Sequence, residues 1–81
     1  MLDAQTIRAA IKWAHRYETK DGRVVRAVRV SEFAASMRDA GWRNVPKLDA
    51  YDLRKLGLEV VVAQYVNGAH PTGRFIDVLV L

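Results

Sequence analysis

The chain has 81 residues, 13 lysines and arginines against nine aspartates and glutamates, and no cysteine. That length fits one domain with a modest core and leaves no room for a deep cleft between lobes, while the missing thiols exclude a disulfide framework, a thiolate nucleophile and a cysteine-ligated zinc site. The net charge of +4 points to an anionic partner, at this size most commonly a nucleic acid.

The charge is uneven: residues 1–30 hold seven basic and three acidic side chains, whereas residues 31–81 hold six of each. The longest apolar runs, Val60 to Ala63 among them, are far too short to span a bilayer, and MLDAQTIRAA has no basic start followed by an apolar stretch. The expectation is a single untargeted cytoplasmic domain over residues 1–81, with no membrane partner.

Asp3 is a suitable N-cap for a first helix over about residues 4–17, with Leu2 and Ile7 placed to close over it as a hydrophobic staple. At roughly 100° per residue, Ile7, Ala10, Ile11, Trp13, Ala14 and Tyr17 share one side, and Arg8, Lys12 and Arg16 line the other. ETKDG then breaks the pattern with Asp-Gly turn chemistry, and RVVRAVRV (23–30) has the β-branched content of a strand, with Val24, Val28 and Val30 on one face. Ser31 is placed to cap a second helix through about Ala40, with Phe33, Met37 and Ala40 as its buried stripe and Gly41 as its stop.

A third helix follows over about residues 47–56. Asp49 and Asp52 have capping-box spacing, Leu48 and Leu53 flank them as a second staple, and Gly57 ends the helix. LEVVVAQYV (58–66) and FIDVLVL (75–81) then read as a hairpin joined by a long, turn-rich tip, NGAHPTGR. The predicted order is helix, strand, helix, helix, strand, strand.

That order, the spacing of VSEFAASMRDAGW and LRKLGL, and the position of the hairpin resemble the winged helix-turn-helix superfamily. The resemblance covers nearly the whole chain and implies an α+β fold, with three helices packed on a small antiparallel sheet. It also implies double-stranded DNA binding: the helix at 47–56 would enter the major groove, and the 67–74 wing would touch the flanking backbone or minor groove. Such a domain would be a regulator or part of a DNA-processing machine. The same fold also serves as a protein-interaction module, which is the alternative.

On a helical wheel Lys47, Ala50, Tyr51 and Arg54 fall together, roughly opposite Leu53 and Leu56, while the two aspartates sit at the helix start. This face is either a DNA-reading surface or an ordinary solvated one; the resemblance favours contact. Arg43 in the inter-helix turn, and Asn67, His70, Thr72 and Arg74 in the wing, are the expected supporting contacts. Arg8, Lys12 and Arg16 form a secondary basic stripe that either follows a phosphate backbone or is merely solvated. Arg23, Arg26 and Arg29 read equally as guards of a strand edge or as phosphate contacts.

His15 and His70 lie on distant elements without a partner at metal-ligand spacing, and there is no glycine-rich phosphate loop. No catalytic residue, metal or cofactor is therefore expected. The expected partner is double-stranded DNA, with a protein partner or a larger parent protein as the other possibility.

Overall fold

The computed structural model describes residues 2–81. Helix α1 (Ala4–Ala10) starts at Asp3, whose carboxylate accepts the Thr6 N–H at 2.8 Å, and buries Ile7. It stops where Ile11 turns extended, at φ −71° and ψ 121°. The helix expected to run to residue 17 is thus overturned: His15–Thr19 form strand β1, paired with β2 (Val24–Arg29) from His15↔Ala27 to Glu18↔Val24. Tyr17 satisfies both a helical and an alternating pattern. Pairing on two sides decides between them, because Tyr17 lies opposite Val25 on one flank and Tyr65 on the other.

A 3-10 turn (Val30–Glu32) leads into α2 (Phe33–Asp39), which buries Phe33, Ser36 and Met37. Ser31 lies inside that turn and is not the cap; Glu32 holds the N-cap position without a side-chain hydrogen bond. Helix α3 (Ala50–Lys55) is shorter than the expected 47–56 and carries the capping box: Asp49 accepts the Asp52 N–H at 2.8 Å and Asp52 accepts the Asp49 N–H at 3.1 Å. Gly57, at φ 89°, ends it with a left-handed residue that a β-carbon would strain, and the Leu58 N–H closes on the Leu53 carbonyl at 3.2 Å.

Strands β3 (Glu59–Asn67) and β4 (His70–Val80) form the second hairpin, and the order is helix, strand, strand, helix, helix, strand, strand. The long tip expected over residues 67–74 is a two-residue turn, since Asn67 pairs with His70 and Thr72 with Tyr65 inside the ladder. All strand pairs are antiparallel, and the sheet closes on itself in the order β1-β2-β4-β3 through the pairing of β1 with β3. Because β2 lies between β1 and β4, Arg26 and Arg29 do not guard a free edge.

Closure divides the apolar residues into two sets. Tyr17, Val25, Ala27, Ala63 and Val78 fill the inside of the barrel. Val28, Val60 and Leu79 point the other way and pack with Ile7, Phe33, Met37 and Leu53 beneath the three helices. Val24, expected on one face with Val28 and Val30, is 53% exposed, since the helix-covered core takes in Val28 and Val30 and not Val24.

Candidate nucleic-acid interface

An open groove of about 1100 Å³ runs between α2, the segment leading into α3, and β4. Four cations line it: Arg29 at the end of β2, Arg38 on α2, Lys47 before α3, and Arg74 on β4. Each comes from a different part of the chain, so the cluster exists only once β2 has paired with β4 and α2 and the segment before α3 have packed beside them. The helix periodicity explains Arg38, which lies on the face of α2 opposite Phe33 and Met37. Asp49, Asp52 and Asp77 also reach the groove, but the first two are engaged with backbone N–H groups at the α3 terminus, where the helix dipole offsets their charge. Val30, Leu48 and Phe75 give it an apolar lining, and Phe75 keeps 41% of its surface exposed.

Lys47 and Arg74 are thus brought together, while of the rest of the expected reading face Tyr51 and Arg54 stay exposed on α3. Lys47 precedes the helix, and Ala50 packs against the helix-covered core. Arg54, itself exposed, donates one guanidinium N–H to the Val60 carbonyl at 2.9 Å, tying α3 to β3. Tyr51 is 65% exposed, with the Lys55 ammonium 5.1 Å from its ring centroid, so α3 presents Tyr51 and Lys55 to solvent together with the exposed part of Arg54.

Arg43 is exposed in the segment between α2 and α3, and Asn67 and His70 flank the hairpin tip. The expected basic stripe is not a helical row. Arg8 donates to the Gly57 carbonyl at 3.3 Å, Lys12 lies in the connection after α1, and Arg16 on β1 donates to the Gly68 carbonyl at the opposite hairpin's tip. The sequence leaves Arg29 between a strand-edge guard and a phosphate contact, and marks Arg38 only by its outward position on its helix.

Beside the groove, the barrel has an open mouth of about 390 Å³ lined by His15, Tyr17, Glu32, Tyr65 and Thr72, and it shares Arg29, Arg74 and Ile76 with the groove. Tyr17 is 2% exposed, and burial raises its phenol pKa above the ordinary value, with Arg29 opposing that shift and Glu32 and Tyr65 adding to it. The Tyr17 phenol therefore stays neutral and can serve as a hydrogen-bonding group near neutral pH.

The arrangement defines a small α+β domain with a four-stranded antiparallel sheet and a cation-lined groove on one flank. Comparison of this chain with protein-family models, curated proteins and solved structures gives no match. Among the described residues no helix is long and apolar enough to cross a membrane.

Proposed function

We propose that this chain binds double-stranded DNA, with the phosphate backbone held by Arg29, Arg38, Lys47 and Arg74. The observation that carries the reading is the convergence of these four cations, from β2, α2, β4 and the segment before α3, on one open groove. Phosphate contacts of this kind supply most sequence-independent affinity and make it fall with salt. The pairing of β2 with β4, and the α2–α3 pair preceding the β3–β4 hairpin, support a winged helix reading in which β1 is an added strand. In that reading α3 meets the major groove with Tyr51 and Lys55, and Asn67 and His70 meet the flanking backbone or minor groove. A regulatory role or a place in a DNA-processing machine follows from the resemblance alone.

One observation favours the alternative, a protein-interaction module: exposed Phe75 beside Val30 and Leu48 gives the groove an apolar strip that a phosphate backbone does not use. Fluorescence anisotropy of labelled duplex DNA, titrated at several salt concentrations, separates the two. The DNA reading expects binding that weakens as salt rises. Lys47→Ala and Arg74→Ala should each weaken all sequences alike and reduce the salt slope by about 1. No binding at low salt would end this reading and leave the interaction module.

A further inference from the structure

The barrel mouth is the least expected feature of the sheet. Along the inward row of β3, Val61 is half-buried and Ala63 fully buried, but Tyr65, the next side chain on that face, is 37% exposed. It is exposed because β4 departs from register there: Ala63 pairs with Ile76 and Tyr65 with Thr72, so Gln64 alone faces Gly73, Arg74 and Phe75. The Gln64 side chain donates to the Gly73 carbonyl at 2.6 Å and braces the displaced backbone. Bulges of this kind re-aim side chains and recur beside binding sites.

The mouth combines three kinds of chemistry. His15 and Tyr17 each meet the Tyr65 ring edge-on, with centroids 5.7 and 5.9 Å away, which holds an aromatic wall in place. Arg29 and Arg74 supply positive charge at the rim where the mouth adjoins the groove. Glu32 and Thr72 supply an acceptor and a hydroxyl. A volume of about 390 Å³ falls in the range of roughly 300–1,000 Å³ usual for small-ligand pockets. A flat ring with edge donors, attached to an anion, matches all three.

We propose that the barrel mouth binds a nucleotide whose base is unpaired, with the base against Tyr65 and its phosphate on Arg29 and Arg74. This rests on the DNA reading for its biological source, because the same two arginines line the groove and a strand lying there passes the mouth. The resulting preference is for duplex ends or gaps with an unpaired nucleotide over continuous duplex.

The test uses the full chain and two duplexes of identical paired sequence, one blunt and one with a single unpaired 2-aminopurine at a 3′ end. Anisotropy reads affinity, and 2-aminopurine emission reads stacking. The overhang duplex should bind about tenfold more tightly than the blunt one, with its emission quenched. Tyr65→Ala should abolish both differences while leaving blunt-duplex affinity unchanged, and Tyr65→Phe should restore them. The comparison between duplexes holds with the wild-type chain alone, should Tyr65→Ala fail to fold. Quenching of free 2-aminopurine nucleoside monophosphate as well would identify free nucleotides as a second source of the same ligand. Equal affinity with unchanged emission would overturn this inference and leave DNA binding standing; no binding to either duplex would remove both.

Discussion

Strands β1 and β2 pair without a break from His15↔Ala27 to Glu18↔Val24, whereas β3 and β4 lose register between Ala63 and Tyr65. The turn of the first hairpin is closed by its own residues: the Thr19 N–H donates to the Arg23 carbonyl at 2.8 Å, and the Arg23 N–H to the Thr19 hydroxyl oxygen at 2.9 Å. The tip of the second is held from outside, by Arg16 reaching the Gly68 carbonyl. The first hairpin therefore completes the barrel, and the second holds it open where the cations gather. A regular ladder stabilises a sheet, but an interrupted one exposes Tyr65 and Arg74.

The comparison depends on Tyr17, which lies opposite Val25 in one hairpin and Tyr65 in the other and is 2% exposed. Tyr17→Ala should give the largest effect, a loss of about 3 kcal/mol or more of unfolding free energy, read from the urea midpoint at unchanged slope. A loss below about 1 kcal/mol would show that the hairpins do not share this core.

Glycine substitutions sharpen the contrast. Gly22 in the first hairpin and Gly73 in the second sit at φ 85° and 79°, and a β-carbon at either would meet nothing within 4 Å. Changing either to alanine should cost about 1–2 kcal/mol through backbone strain alone, seen as similar drops in urea midpoint. Only Gly73→Ala should also alter the preference for an unpaired nucleotide, because only Gly73 lies in the interrupted register. Equal binding by the two variants would dissociate the bulge from the site.

What the sequence showed and what it concealed follow the range of the interactions involved. Asp3, the Asp49–Asp52 box and Gly57 were legible because each acts on backbone groups within a few residues. Strand β1 was not, since Ile7, Ile11 and Tyr17 fit a helical stripe, and Tyr17 becomes a strand residue by pairing with nearby Val25 and with Tyr65, which is distant in sequence. The same limit applies to the candidate site. Lys47 and Arg74 could be singled out by type and position, but their grouping with Arg29 and Arg38 requires the pairing of β2 with β4 and the packing of α2 beside them. Arg54 looked free on a helical wheel, which does not show the Val60 carbonyl that engages it.

The smallest expected effect is a pH dependence that only one hairpin can show. Asp21 accepts the Thr19 hydroxyl, and that bond, with a lesser contribution from the nearby Arg23 charge, holds its carboxyl below the ordinary value of 3.8. A carboxyl whose folded pKa lies below its unfolded one adds stability that is complete above about the unfolded value and disappears as the pH falls through the folded value. Residues 63–76 of the second hairpin contain no aspartate or glutamate, so carboxyl titration within the hairpins' turns acts on the first alone. Asp3, held low by the Thr6 N–H, shifts in the same direction and must be kept constant. Urea midpoints measured from about pH 6 to about pH 2 should therefore decline less steeply in acid for Asp21→Asn than for the wild type, with Asp3 unchanged in both. Because the carboxylate is fully exposed, solvent screens it and the difference should be small. Parallel curves would mean that the Thr19–Asp21 contact adds nothing to the turn, leaving closure of the first hairpin to the backbone bonds between Thr19 and Arg23.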